Sequence, residues 1–376
     1  MSTPRKLITI AIFVAVLGVI ARHAVKMTVK MGVFRHFYPH YPGDCKPVEG
    51  IQLGSEDMET LSDGLTFITS GLLLTTSAAG YKEHYRRNNL AGHVYLYDFK
   101  QPQQGVRQLK IVSTPHLDRG TFAPHGISVW EDKITGRHTV FVVNHPQREP
   151  PVDTIEKFTY DPEQQQLLHQ ATFSSPEMRL MNDVQATSDN SFYFTNSHAS
   201  HSILRILLEV LLDLPCTNVV YFDGRFYSVV ADGIRSANGI YMSHDRRYVY
   251  VAAITGQELW IFKRNNDSSL TEQQVYPLYS SPDNIIVDRV SGDLYLGSHP
   301  ILFKLLQFMQ HPGSSAAPSQ VLHIRVKEGR VVSAQELLYD DGGQLAASSS
   351  AVVFNGRLLV GSVLHKLLHC DVTVPM

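Results

Sequence analysis

One pattern constrains this chain more than any other. It runs through one or two polar residues, an apolar pair, a turn, and then a strongly apolar strand-like run, and it occurs six times. His125-Gly126-Ile127 leads to Thr139-Val140-Phe141-Val142-Val143, and Asn182-Asp183-Val184 leads to Phe192-Tyr193-Phe194-Thr195. Asn238-Gly239-Ile240 leads to Tyr248-Val249-Tyr250-Val251, Asp283-Asn284-Ile285 to Leu294-Tyr295-Leu296, and Ser350-Ala351-Val352 to Leu358-Leu359-Val360. Glu56-Asp57 opens the remaining unit, and successive starts lie about 45 to 70 residues apart. Turn chemistry such as Ser188-Asp189-Asn190, Ser291-Gly292-Asp293 and Asn355-Gly356 separates the runs. Repeats of this length built from short strands predict an all-β chain folded as a six-bladed β-propeller. A β-sandwich leaves the repeat unexplained. In a propeller the first strand of each blade lines the central channel, so the leading polar residues face the axis.

Those leading residues are Glu56, Asp57, Asn182, Asp183, Asn238, Asp283 and Asn284. All offer oxygen, and none offers sulfur or imidazole. Ca²⁺ takes six to eight carboxylate, amide or carbonyl oxygens, whereas Zn²⁺ favours His and Cys, and Mg²⁺ keeps more water. Buried side by side without a cation, these carboxylates would repel one another and suffer desolvation. Asn and Asp also mark turns and caps, but recurrence at blade spacing points to a metal axis. Neighbouring strand residues point in opposite directions, so adjacent pairs suggest two ions at different depths. His125 opens a channel strand and His145 ends the next, in Val143-Asn144-His145-Pro146. The expected hairpin brings the two histidines together at one channel mouth, where an imidazole can serve as general base. His198, His299 and His365 end strands similarly and are candidates to support the ligand carboxylates.

Other features bound the function. The formal net charge is −2 and there is no basic run, which argues against a nucleic-acid partner. No Gly-x-Ser-x-Gly, P-loop or His-Glu-x-x-His motif is present. Arg5-Lys6 precede a fifteen-residue apolar run, Leu7 to Ala21, short for a membrane span and suited to a signal sequence. Cleavage after Ala21 and retention as an anchor both remain open, and either places the body of the protein outside the cytosol. The sequon Asn266-Asp267-Ser268 is consistent with that route. Cys45, Cys216 and Cys370 are the only cysteines; a Cys45–Cys370 bridge and three buried thiols are both compatible with the sequence. Residues 31–44, rich in aromatics, His and Pro, read as a connector. Residues 201–214 read as a helical insertion stopped by Pro215, with Arg205, Glu209 and Asp213 on one stripe of an otherwise apolar surface. That surface packs on the propeller or lies in a membrane interface.

Several stretches together resemble the serum paraoxonases, calcium-dependent lactonases and arylesterases. They are Gly-Ser-Glu-Asp at 54–57, Pro-His-Gly-Ile-Ser at 124–128, Val-Asn-His-Pro at 143–146 and Asn-Asp at 182–183. Ala-Asn-Gly-Ile at 237–240, Asp-Asn-Ile at 283–285, Gly-Asp-Leu at 292–294, Val-Leu-His-Lys at 363–366 and Cys370 complete the set. The resemblance spans Cys45 to Cys370. It implies a catalytic calcium on Glu56, Asn182, Asn238, Asp283 and Asn284. A structural calcium would lie on Asp57, Asp183 and the Ile127 carbonyl. It further implies a His125–His145 dyad in which His125 activates water, a Cys45–Cys370 disulfide, a glycan at Asn266, and a signal retained as an anchor.

The expected organisation is therefore an uncleaved signal or anchor helix over 1–30, a connector over 31–44 and a propeller over 45–376. The expected activity is hydrolysis of lactones and aryl esters by water attack on a calcium-polarised carbonyl. The setting is the secretory pathway, with the propeller outside the cytosol and a membrane or lipoprotein surface as partner. The competing expectation is a membrane-tethered propeller without catalysis, acting as a chaperone or binding module. A sugar-lactone hydrolase of the gluconolactonase group fits the fold but lacks the closing cysteine pair. Three departures from the family pattern bear on substrate rather than metal. Ser298 stands where a free cysteine precedes His299-Pro300, Leu74 stands where some members carry tyrosine, and Ser197 stands where relatives can have Asp.

Overall fold

A computed structural model describes residues 3–51, 53–312 and 315–374. Among the described residues six sheets form the body, five with four antiparallel strands each and one with five, whose edge strand Lys110–Val112 pairs parallel to Gln166–Phe173. The innermost strands are Met58–Thr60, Pro124–Glu131, Leu180–Ala186, Ala237–Met242, Ser281–Val287 and Ser348–Phe354. Each packs against the next, and the sixth packs against the first, so the ring is closed. These are blades 1 to 6 in chain order, one per sequence repeat. Burial follows position. Leu180–Ala186, Ala237–Met242 and Ser281–Val287 are buried throughout, whereas the outer strand Tyr227–Ile234 is largely half-exposed or exposed. Apolar side chains fill the spaces between blades, as where Phe141, Phe173, Phe192 and Phe222 stack between blades 2 and 3.

Blade 6 closes the ring. Its inner strands come from the C-terminal end of the chain, ending in Leu367–Asp371, and its outermost strand is Cys45–Val48. In that antiparallel pair Cys45 lies opposite Cys370, and the two form a disulfide across a separation of 325 residues. Constraining so long a loop is worth about 5 kcal/mol in the chain-entropy account. Cys216 is the remaining, free cysteine.

The polar repeat positions coincide with a backbone irregularity. Register with the second strand is lost between Pro124 and Ile127, Met181 and Val184, Ala237 and Ile240, Pro282 and Ile285, and Ser348 and Ala351. The bulge re-aims His125, Asn182-Asp183, Asn238 and Asp283-Asn284 relative to a regular pleat. Strict alternation, from which the opposite facing of neighbours was expected, therefore does not hold at these positions. Glycine serves close approach here. A Cβ on Gly126 would fall 2.5 Å from Asp183 Cα, and one on Gly239 would fall 2.6 Å from Asn284 Cα.

Among the described residues four α-helices accompany the sheets. Helix α1 spans Thr3–Lys30, longer than the fifteen-residue apolar run alone suggests, because helix-compatible residues continue to Lys30. Helix α3, Ile203–Leu211, is the expected insertion, shorter at both ends than 201–214. Two further helices, α2 (Ala79–Arg87) and α4 (Leu302–Gln310), interrupt what reads as continuous β pattern. In α4 the signal was present: Leu302, Leu305 and Phe308 repeat at helical spacing and are its buried face. Helix α2 is mostly polar and is anchored by Tyr81, whose hydroxyl donates to the Leu72 carbonyl.

Candidate active site at the channel mouth

Loops and helices at one mouth of the channel enclose a cavity of about 390 Å³. Its floor is polar: Glu56, His125, Asn182, Asn238 and Asp283, each from a different blade. Its walls are aliphatic, with Leu72 and Leu74 ahead of α2, Ile203, Ile206 and Leu207 from α3, and Leu305, Leu306 and Met309 from α4. No lysine or arginine lines it.

The floor residues are connected. Asn284 Nδ2 donates to Glu56 Oε1 and to the Glu56 carbonyl, each at 3.1 Å. His125 Nε2 stands 3.5 Å from the same Oε1. Asn182 Nδ2 donates to His125 Nε2 at 3.3 Å. His299 Nε2 donates to Asp283 Oδ2 at 2.8 Å, which singles out His299 among the strand-ending histidines as support for an axial carboxylate. Three buried oxygens in this set, Glu56 Oε2, Asn182 Oδ1 and Asn284 Oδ1, have no hydrogen-bond partner. Buried acceptors are nearly always satisfied, and an acceptor-only oxygen is satisfied by a donor or a cation.

Below this layer the arrangement differs. Asp57 Oδ1 accepts from the Met58 N–H and Oδ2 from the Ile127 N–H of blade 2, both at 2.8 Å. Asp183 Oδ1 accepts from Val184 N–H at 2.7 Å and Oδ2 from Ile240 N–H of blade 4 at 2.8 Å. Each carboxylate thus straps its own inner strand to the next. Neither lines the cavity.

Charge is concentrated along the axis. Burial raises the Glu56 carboxyl well above its usual range, and Asp283 adds to the effect. Burial and Glu56 raise Asp57, and burial and Asp57 raise Asp183. Among the described residues no three His, Cys, Asp or Glu side chains cluster closely enough to hold a metal by themselves. The donor set here is mixed, with amide oxygens contributing as much as carboxylates, and it is the chemistry a hard cation takes.

The two histidines meet as the hairpin requires. Asn144 pairs with Thr154, so His145 and Asp153 are the next residues beyond the paired strands. His145 Nδ1 lies 2.9 Å from Asp153 Oδ1, and His145 Nε2 lies 2.9 Å from His125 Nδ1. A carboxylate only accepts. His145 therefore carries its proton on Nδ1 and accepts at Nε2 from His125 Nδ1–H, leaving His125 Nε2 unprotonated, an acceptor for Asn182 Nδ2 at the floor. Burial pushes His125 down to about 4 and lowers His145, against the pull of Asp153. Burial works against ionisation of Asp153, but His145 and His201 outweigh it and hold the carboxyl at about 2.

Asp153 was not legible as a site residue. Its signal lay in the pairing of the strand after Val-Asn-His-Pro, which only a correct hairpin register reveals. Glu209 was read as part of a polar stripe. It turns inward, accepts from His198 Nδ1 at 3.0 Å, and supplies the acidic partner that Ser197 cannot. Ser197, Leu74 and His198 all line the cavity, and Ser298 is buried beside His299. Asn266 is exposed in the turn after Glu258–Arg264.

The family described as Arylesterase matches residues 38–372. Serum paraoxonase/lactonase 3 of Mus musculus is 32% identical over 368 residues, covering 97% of this chain and 99% of its own length. Serum paraoxonase/arylesterase 2 of Gallus gallus is 34% identical over 328 residues, covering 87% and 88% respectively. Among solved structures, a luciferin-regenerating enzyme aligns with a TM-score of 0.50 at 11% identity, over 89% of this chain and all of its own, a likeness of fold alone.

Proposed function

This chain belongs to the arylesterase family, and on that premise we propose that it is a calcium-dependent hydrolase of lactones and aryl esters. The observation that carries the reading is the unprotonated His125 Nε2 at the floor of an aliphatic cavity, together with three partnerless buried oxygens on Glu56 and Asn182, which line it, and on Asn284 beside them. Glu56, Asn182, Asn238, Asp283 and Asn284 would hold a catalytic calcium. Asp57, Asp183 and the Ile127 carbonyl would hold a second ion that ties blades together. A calcium ion held by these residues would supply Lewis-acid polarisation of the substrate carbonyl. The chain's own residues do the rest. The aliphatic walls hold the substrate's apolar part and exclude water from it. His125 Nε2 accepts the proton of the attacking water, and the Nδ1–H of His125 shares the gained charge with His145. A propeller that only binds has no use for a buried histidine pair poised in this way.

The exposed face of the molecule supports a membrane or lipoprotein partner and passage through the secretory pathway. Lys6–Lys30 of α1 forms a 25-residue apolar helix with none of its most apolar window buried. Helix α3 is inverted relative to a helix of a soluble protein. Its acids Glu209 and Asp213, the latter just past its end, are about 5% exposed, while Leu204 is 69% and Leu211 58% exposed. Lys26 and Lys30 of α1 grip Asp213 at 2.6 and 2.5 Å, so the two helices present one apolar surface.

The test is a panel of aliphatic lactones, aryl acetates and phosphotriesters, each with calcium and after chelation. Lactones and aryl acetates are hydrolysed only with calcium, and Glu56→Gln loses at least about 10³-fold in kcat/KM. Full-rate lactone hydrolysis by calcium-depleted protein overturns the mechanism.

A further inference from the structure

Asp153 joins three parts of the molecule through one buried carboxylate. Its Oδ1 accepts from His145 Nδ1 at 2.9 Å and from His201 Nε2 at 3.1 Å. Its Oδ2 accepts from the Met181 N–H at 2.7 Å, one residue before Asn182 on the floor. The Asp153 side chain is 2% exposed and that of His201 16%. His201 directly precedes Ser202, the N-cap of α3, whose Ile203, Ile206 and Leu207 form a cavity wall. We propose that Asp153 and His201 are positioning residues for hydrolysis. In this arrangement a His201–Asp153–His145–His125 chain holds the tautomer that leaves His125 Nε2 unprotonated, where it accepts from Asn182 Nδ2, and fixes the base relative to the α3 wall. The inference rests on the hydrolase reading above and deepens it.

The physical argument is one of donors and acceptors. A neutral imidazole has one donor and one acceptor, so each link determines the next. Remove the carboxylate and His145 is free to carry its proton on Nε2. The nitrogen facing His125 is then a donor. His125 can relieve the conflict only by moving its own proton to Nε2, where it no longer serves as a base. His201 contributes in two ways. Its N–H gives Oδ1 a second donor, which stabilises the carboxylate in an otherwise dry site. It also anchors the entry of α3 to the same atom that orients His145. A carboxylate that merely fastened the 146–153 loop would need the Met181 N–H alone.

Two measurements separate a positioning role from a structural one. In the calcium-loaded full chain with ¹⁵N-labelled histidine, the Nδ1–H protons of His145 and His125 should appear downfield of the amide envelope, assigned by single His→Gln variants. Asp153→Asn should remove them and lower kcat on a lactone by about 10²- to 10⁴-fold, with KM changed by no more than about threefold. His201→Ala should lower kcat by about tenfold, and His201→Gln, which keeps a donor near the Nε2 position, should recover most of that loss. A folded Asp153→Asn protein that keeps both downfield protons or keeps its kcat overturns the proposal. So does an equal loss in His201→Ala and His201→Gln. If Asp153→Asn does not fold, by thermal unfolding, the His201 pair decides. If the unaltered protein hydrolyses no ester, the hydrolase reading fails by itself, and the imidazole protons still report whether the chain of hydrogen bonds exists.

Discussion

Two layers of oxygen sit along one axis, and they are finished differently. In the upper layer, Glu56, Asn182 and Asn284 each leave an oxygen without a partner. In the lower layer, Asp57 and Asp183 use both carboxylate oxygens on backbone N–H groups, one of them in the neighbouring blade. Both layers are buried, and all three acids are held above the usual carboxylate range: Glu56 by burial and Asp283, Asp57 by burial and Glu56, and Asp183 by burial and Asp57. The difference teaches what each layer is built to do. The lower layer is part of the scaffold, because its acids already perform a structural task as acceptors between strands. The upper layer also ties blades, through Asn284 and Glu56, but it keeps free oxygens at a cavity that Glu56 and Asn182 line, where a bound group would complete it. Asn182 and Asp183, adjacent in sequence, fall on opposite sides of this division.

The comparison breaks most readily at Asp183. Asp183→Ala strips acceptors from the Val184 and Ile240 N–H groups and removes a proposed ligand of the deeper ion. It should cost about 3 to 5 kcal/mol of stability in calcium, read by urea unfolding. Asn182→Ala should instead lower kcat/KM by about 10²- to 10³-fold, equivalent to about 3 to 4 kcal/mol of transition-state stabilisation, with unfolding shifted by less than about 1.5 kcal/mol. Equal effects of the two substitutions on either readout would erase the division between the layers.

A smaller effect sharpens it through pH. Carboxyls whose folded-state values are raised bind more protons folded than unfolded. Their contribution is therefore full below the unfolded value, about 4, and is lost as pH rises through the folded value. Chelated protein should therefore lose stability as pH rises, by up to about 1.4 kcal/mol per unit for each carboxyl still protonated. Calcium-loaded protein should stay level. Thermal unfolding with calcium and with chelator, from pH 7 to 9, measures the difference, and parallel curves would show that no cation neutralises the axis.

Much of this was readable in the linear chain. The six repeats, the polar residues at their heads and the cysteines at the ends follow from spacing and residue type, because a blade is a local unit and its strands recur at its own period. The helical insertion was readable too, from its apolar run and Pro215. Helix α4 was missed although its spacing was helical, since a short apolar segment between strands reads equally well as a strand. The orientation of the insertion was also hidden: its stripe of Arg205, Glu209 and Asp213 looks like a solvated face, but two of the three acids and bases turn toward the propeller.

What the sequence by itself determined is the propeller, the identity of the axial oxygens and the meeting of His125 with His145, all consequences of repeat period and hairpin pairing. What only the tertiary structure decided is how those groups are finished. The bulges at the heads of the inner strands separate Asn182 from Asp183, and one carboxylate, Asp153, joins the histidine pair to His201 across loops that share no pattern. Such contacts depend on backbone irregularity and on segments brought together from distant positions. Neither has a period, and local residue preference therefore carries no trace of them.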